Sequence, residues 1–424
     1  MASRVLVVGG GGREHALVRT LLRSPQRPRV GCAPGNPGIA RDGVECLVVG
    51  AEDIPGLVQA AADWRADFVV VGPEAPLVGG LVDRLREAGI AAFGPSAAAA
   101  RIEGSKSYAK DLMRDCGVPT AGHVVLRDRE EALTHLACAS YPAVLKADVL
   151  AAGKGVIIAP DEREARAAVD VFFAEKRFGD TEVVLEEFLV GEELSLLALC
   201  DGERAVPLAP AQDYKRALDG DEGPNTGGMG SYSPVPGIDR EDVEEMARVA
   251  HQPVIDELRR RGTPYHGILY AGLMLTAAGP RVLEFNARFG DPETQAVLPR
   301  LRSDLVELLE AATAPGGLDG VEPEWSSDWA VTVVLASRGY PASSSIGDEI
   351  TGLDGLDAEV FHAGTAERDG AIVTAGGRVL NVTGLGPSPA AARDRAYEAA
   401  ERIRFDGKQM RTDIADRAVE GVRV

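Results

Sequence analysis

Three apolar runs near the N-terminus each end in a glycine turn. Val5-Leu6-Val7-Val8 stops at Gly9-Gly10-Gly11-Gly12, and a helical pattern follows from Glu14 to Leu22. Phe68-Val69-Val70-Val71 stops at Gly72-Pro73-Glu74 ahead of a helical stretch, Leu77 to Ala88. Ile90-Ala91-Ala92-Phe93 stops at Gly94-Pro95-Ser96. A strand apolar at every position has no face to give to water, so both its faces must be covered. Strands separated by helices are crossover-connected, and such connections build parallel sheets. Residues 1–103 are therefore expected to form a parallel-sheet α/β domain.

The middle of the chain has a different texture. Val144-Leu145-Lys146 and Val156-Ile157-Ile158 flank the loop Ala151 to Gly155, and Val183-Val184-Leu185 and Leu194 to Leu199 flank Gly191-Glu192. That is hairpin-rich α+β patterning. Ala311 to Gly320 is small and glycine-rich and reads as a linker. Beyond it come a strand at Val331 to Leu335, a loop at Gly339-Tyr340-Pro341, two short strands joined at Gly376-Gly377, and a helix from Ala390 to Arg402. A length of 424 residues suits roughly three domains.

Composition limits the partners. Aromatic residues make up only 5%, so Ala, Val and Leu must build the core. A formal charge of −20 argues against nucleic-acid or membrane binding through bulk charge. It leaves an anionic small molecule open, because a few local cations decide that. The five cysteines are scattered and lack metal spacing, which points to reduced thiols. No basic-then-apolar leader is evident and no apolar run approaches the ~20 residues of a membrane span. A cytoplasmic location and a monomeric state are expected.

The chemistry concentrates in a few segments. Arg281-Val282-Leu283 reads as a strand leading into Glu284-Phe285-Asn286-Ala287-Arg288. Residues two apart on a strand share a face, so Glu284 and Asn286 point the same way. A carboxylate beside an amide oxygen suits Mg²⁺ held partly by substrate phosphates. Arg288 follows as a fixed cation. Gly9 to Gly12 stands between strand and helix, where free N–H groups suit a phosphate. It fails the dinucleotide spacing G-x-G-x-x-G because position 14 is Glu. Lys146 lies in an apolar strand and must meet an anion or an edge. Lys154 sits in a glycine loop entering a strand, and Gly155 follows it where a P-loop has Ser or Thr. A hairpin flap closing over phosphates fits that pattern. Glu186-Glu187-Phe188-Leu189 ends one strand and Glu193 begins the next, a bend able to read an adenine edge and a ribose. Gln212-Asp213-Tyr214-Lys215-Arg216 and Gly223 to Gly230 form a polar loop region. The six histidines show neither metal spacing nor a nucleophile partner. Each feature alone also has a structural explanation, such as a tight turn, a polar sheet edge or a surface hairpin.

Together these residues closely resemble the phosphoribosylamine–glycine ligase family (glycinamide ribonucleotide synthetases) of the ATP-grasp superfamily. The matching segments include Gly10 to Leu17, Ala33-Pro34-Gly35-Asn36, Val71 to Leu77, Glu103-Gly104-Ser105-Lys106 and Lys146-Ala147-Asp148. Ala151 to Val156, Gly223 to Gly230, Tyr270 to Met274, Glu284 to Thr294 and Gly376-Gly377-Arg378-Val379-Leu380 complete them. The resemblance implies an α/β and α+β multidomain fold. Its parts would be an N-terminal domain over 1–103, an ATP-grasp core over 104–328 with a small lobe inserted at about 124–192, and a C-terminal domain over 329–424. It implies an ATP-dependent ligase of purine biosynthesis that joins glycine to 5-phosphoribosylamine through glycyl phosphate. Glu284 and Asn286 would hold Mg²⁺ or Mn²⁺. ATP would meet Lys106, Lys146, Gly153, Lys154, Gly155, Glu186, Glu187, Leu189 and Glu193. Phosphoribosylamine would meet Gly10, Gly11, Gly12, Arg13, Glu14, Asn36 and Glu74. Asp213, Lys215, Asn225, Thr226 and Gly227 would line the glycine and acyl-phosphate region, with Gly290 and Asp291 nearby. Arg288, Lys154 and Asp213 would act in catalysis.

The chain departs from that family's usual pattern in places. Val149 stands where glycine is usual, Tyr214 where histidine is usual, and Thr412 and Ala415 where Lys and Gly are usual. None of these is an expected metal or phosphate residue. Two other readings stay open: an ATP-grasp ligase for a different acid or amine, and a nicotinamide-dependent oxidoreductase using Gly9 to Gly12. The second gives Lys146, Lys154, Glu284 and Asn286 no task.

Overall fold

The computed structural model of the chain describes residues 3–151 and 155–421. Near the N-terminus five strands pair in parallel in the order Glu45–Cys46, Arg29–Pro34, Arg4–Gly9, Phe68–Val71, Ala91–Phe93. Val5 and Val7 enter one apolar cluster, and Leu6 and Val8 the other, so the central strand is buried on both faces. Its end turns at Gly9, whose φ of +121° suits glycine and whose Cβ would lie 2.5 Å from the Glu14 side chain. The helix expected over Leu77 to Ala88 is instead two, Glu74–Val78 and Leu81–Glu87. Gly79-Gly80 breaks it, with Gly80 left-handed at φ +87°.

Two antiparallel sheets make the middle. The smaller runs His123–Leu126, Val183–Glu187, Ala143–Ala147, Val156–Ala159, with a core of its own that includes Leu126, Leu145, Val169, Phe172 and Val183. The larger runs Ala205–Pro207, Glu192–Asp201, His266–Thr276, Gly279–Asn286. Its last ladder pairs Gly272 with Glu284 but Leu273 with Val282, so Leu283 is left outside the register. A bulge of this kind re-aims the residues beside it.

The C-terminal sheet runs Gln212–Asp213, Gly230–Ser233, Trp329–Ala336, Arg378–Gly386, Glu359–His362, antiparallel throughout. Two of its strands therefore come from well upstream of residue 329. Ala311 to Gly320 is packed down instead of acting as a loose linker. Ala312 and Leu318 are fully buried, and the Leu318 N–H donates to the buried Asp201 carboxylate at 2.9 Å.

Ala415 takes a left-handed backbone, φ +66°, in the segment before the last short helix, Asp416–Val419. A Cβ in that region costs on the order of 1 kcal/mol. The Ala415 N–H donates to the Tyr214 hydroxyl at 2.9 Å, which holds the turn in place. Ala415→Gly is expected to stabilise the fold by about 1 kcal/mol, read as a higher midpoint in denaturant unfolding. An unchanged or lower midpoint would mean the turn is not strained. No helix among the described residues is long and apolar enough to cross a membrane. All five cysteines are free thiols.

Candidate active site

A cavity of about 710 Å³ opens where the N-terminal domain, both middle sheets and the C-terminal sheet meet. Glu284 and Asn286 line it from the strand Gly279–Asn286, and Arg288 from just past the strand's end. Burial works to raise the Glu284 carboxyl. Lys215, Lys146, Lys106 and Arg288 outweigh it and hold Glu284 below its usual range, so it is ionised at neutral pH. The Asn286 amide oxygen accepts from Arg288 at 3.3 Å. Arg288 is itself locked by Glu74 at 3.2 Å and Glu103 at 3.2 Å, while Glu103 also accepts the Ala287 N–H at 2.7 Å. An ionised carboxylate and an amide oxygen fit a divalent cation that takes its remaining oxygens from phosphates. Consistent with so sparse a protein set, no group of three His, Cys, Asp or Glu suited to a metal occurs among the described residues.

The lysines follow from two elements. Lys146 points from its strand to the Leu283 carbonyl at 3.0 Å, the group that the bulge leaves out of the ladder. It also pairs with Glu186 at 3.0 Å. Lys110 meets the same carboxylate at 3.1 Å. Burial pulls Lys110 down to about 8 against the pull of Glu186. The other oxygen of Glu186, Oε1, is buried with no partner among the described residues. Lys106 donates to the Val149 carbonyl at 3.0 Å. Gly155, Glu187 and Leu189 line the same space, whereas Gly153 and Lys154 lie outside the described residues. Lys110 escaped the sequence reading. The available signal was its place four residues after Lys106 on one helix, Lys106–Cys116, which puts both on one face.

Asp213 and Lys215 face the cavity, and Tyr214 between them faces away. The Tyr214 ring is buried beside Tyr232, with the Arg411 guanidinium 4.7 Å from its centre. It therefore takes no part in the cavity's chemistry. Lys215 pairs with Glu193 at 2.7 Å. Burial tends to lower Lys215, but Glu193 and Asp213 keep it charged, well above its usual value. Burial pushes Asp213 up to about 8, opposed by Lys215 and helped by Glu293, Glu193 and Glu284. An acid raised above its unfolded value contributes stability at low pH that is lost as pH rises through the folded value. Asp213→Asn is expected to melt further above wild type at pH 9 than at pH 6. Parallel melting profiles would place Asp213 in an ordinary polar setting.

Asn225, Thr226 and Gly227 border Asp213, and the Thr226 N–H donates to the Lys215 carbonyl at 2.8 Å. Arg13, Glu74 and Asp291 also line the cavity. Burial would raise Glu74, but Arg288 and Arg13 hold it down near 2. The remaining expected contacts do not line this cavity: Gly10, Gly11, Gly12, Glu14, Asn36 and Gly290. Glu14 turns back to accept the Gly11 N–H at 2.7 Å and to pair with Arg13 at 2.5 Å. Asn36 caps the Ile39 N–H at 3.0 Å and donates to the Gly10 and His362 carbonyls at 2.9 and 2.8 Å. All its polar capacity goes to the protein, so it buttresses the glycine turn. His15 has an acidic neighbour, Asp42 at 3.0 Å, that spacing did not reveal.

Comparison with known proteins covers the whole chain. Models of phosphoribosylglycinamide synthetase match as an N domain at 3–103, an ATP-grasp (A) domain at 104–294 and a C domain at 330–417. A phosphoribosylamine–glycine ligase of Streptomyces coelicolor is 54% identical over 98% of this chain and 99% of its own. The crystal structure of phosphoribosylamine–glycine ligase from Thermotoga maritima superposes with a TM-score of 0.83 at 38% identity, covering 97% of this chain and 100% of the other. A biotin carboxylase domain from Hydrogenobacter thermophilus, 18% identical, shares the fold with a TM-score of 0.72 over 97% of this chain and 92% of its own. The three-part match, the full-length identity and the cavity's placement among those parts lead to one family: the chain belongs to the phosphoribosylglycinamide synthetases.

Proposed function

We infer that the chain is an ATP-dependent ligase of purine biosynthesis that joins glycine to 5-phosphoribosylamine. The products are glycinamide ribonucleotide, ADP and phosphate. The observation that carries this reading is Glu284, kept ionised inside a ring of Lys215, Lys146, Lys106 and Arg288 on one cavity wall. A ring of cations around one carboxylate suits a polyphosphate with its metal far better than a nicotinamide ring.

In the first step a glycine carboxylate oxygen attacks the γ-phosphorus, and the bond to the β,γ-bridging oxygen breaks to release ADP. Two anions approach each other, so the step depends on positive charge more than on a base. Lys106, Lys146 and Lys154 are assigned to the phosphate tail, and Arg288 to the transferred phosphoryl group. Glu284 and Asn286 would hold Mg²⁺ or Mn²⁺, which supplies charge neutralisation on phosphate oxygens. Glu186, on the cavity lining, is assigned to the ATP side of the site. The bend at Glu187 and Leu189 would border the base, and Glu193 would meet the ribose. In the second step the amine of phosphoribosylamine attacks the acyl carbon, and the carbon–oxygen bond to phosphate breaks. The nitrogen sheds one proton, and the ionised form of Asp213, on the cavity lining, is assigned to take it. Arg13, Glu74 and Asp291 are assigned to phosphoribosylamine, the turn Gly10 to Glu14 with Asn36 to its support, and Lys215 with Asn225 to Gly227 to glycine. Gly290 is assigned to the turn that presents Asp291. The division at 1–103, 104–328 and 329–424 belongs to the same reading.

The test is ADP release from ATP with a divalent cation, with glycine and fresh phosphoribosylamine each supplied and withheld. Turnover that needs both, with a product of glycinamide ribonucleotide mass, is expected. Turnover with another acid or amine would keep the ATP chemistry and replace the substrates.

A further inference from the structure

The segment Gly376-Gly377-Arg378 has no part in the chemistry above, yet it reaches the cavity. A Cβ on Gly377 would lie 2.4 Å from the Tyr340 ring, so only glycine lets that ring rest on the main chain. Seated there, the Tyr340 hydroxyl accepts the Gly227 N–H at 3.1 Å. Arg378, the next residue, donates to the Gly227 carbonyl and, at 2.8 Å, to the Asp291 carbonyl. Its second terminal nitrogen stands 3.3 Å from the Asp291 carboxylate. Both faces of one residue's backbone, the N–H and the C=O of Gly227, are thus gripped, one by the turn after Trp329–Ala336 and the other by the first residue of the strand Arg378–Gly386. Space is tight on that side: a Cβ on Gly227 would lie 3.1 Å from the Arg378 guanidinium carbon. Gly228 follows at φ +107°, against Pro292.

We propose that Tyr340 and Arg378 are positioning residues that fix the loop Asn225–Gly227 against Asp291 and so set the glycine side of the site against the amine side. The proposal rests on the ligase reading for the two substrates' places. Neither residue needs to touch a reacting atom. Their effect runs through Gly227, whose own N–H and carbonyl they hold, while the neighbouring Asn225 pairs with Arg216 and Thr226 is anchored to Lys215. Bound in this way, a loop keeps its groups within the narrow tolerance that acyl transfer demands.

The experiment uses the full chain with Tyr340→Phe, which removes one hydroxyl, and Arg378→Gln, which removes the fork. KM for glycine is expected to rise about 10-fold in the first and more in the second, with KM for ATP within about twofold of wild type. Hydrogen exchange of the amides at 226–229 is expected to speed up in both, and Tyr340→Phe to melt like wild type. Unchanged exchange overturns the clamp. Faster exchange with unchanged glycine kinetics shows a clamp that positions nothing, and also overturns the proposal. An equal loss for all substrates together with lower melting makes the pair merely structural. If wild type itself fails to use glycine and phosphoribosylamine, the ligase reading falls, and the exchange result still decides the clamp.

Discussion

Glu284→Gln is expected to leave the chain folded while cutting ATP turnover by about 10³-fold or more. The carboxamide has the same shape, so the strand Gly279–Asn286 and its bulge persist. What disappears is the one negative charge that Lys215, Lys146, Lys106 and Arg288 all face. A neutral amide is a poorer ligand for a hard cation, and the phosphates lose the partner that brings the metal to them. Lys146 keeps Glu186, Lys215 keeps Glu193, and Arg288 keeps Glu74 and Glu103, so most of the surrounding cations stay paired. ATP binding is therefore expected to outlast turnover. ADP release and a melting curve on one preparation separate the two effects. Full turnover would remove Glu284 from the metal site.

Arg288→Met is expected to damage both activity and stability. The guanidinium pairs with Glu74 and Glu103 at 3.2 Å each, and Glu103 is 8% exposed. Breaking a buried pair on one side typically costs about 3–5 kcal/mol, because a charge remains without compensation. Loss of a fixed cation at the transferred phosphoryl group adds a fall in kcat of about 10²–10³-fold. The stability loss has a pH signature. Burial already raises Glu103, and Arg288 opposes that rise. Without Arg288 the carboxyl stays protonated to higher pH, and its protonated form needs no partner. The gap in stability between wild type and Arg288→Met should thus narrow as pH falls. A gap independent of pH would mean Glu103 does not carry the loss. Arg288→Lys keeps the charge but not the two-carboxylate fork, so it should recover part of the activity and little of the stability.

Local pattern made much of this site legible. The period of two on a strand placed Glu284 with Asn286, and glycine turns after apolar runs marked the N-terminal parallel sheet, whereas Gln212 to Arg216 read only as a polar loop region. What local pattern does not show is decided by partners distant in sequence. Asn36 sits in a motif, but its amide is spent on Gly10 and His362, far away in the chain. Tyr340 and Arg378 meet Gly227 across more than a hundred residues, beyond the reach of any periodicity. Ala311 to Gly320 has the composition of a linker, and only the fold supplies Asp201 to hold it. The break at Gly79-Gly80 was visible in the sequence, where two successive glycines outweigh a helical apolar pattern.

Gly230–Ser233 joins Gln212–Asp213 on one side to Trp329–Ala336 on the other, a segment made much later during synthesis. A chain still growing from its N-terminus can assemble the Lys146 and Glu284 walls before this sheet exists. Gly230–Ser233 must then wait as an open edge, and open edges invite pairing with other chains. The glycine side of the cavity is accordingly the last part to mature. A product terminated before Trp329 would carry Lys146 and Glu284 without the completed sheet that frames Asp213, and aggregation is its natural fate.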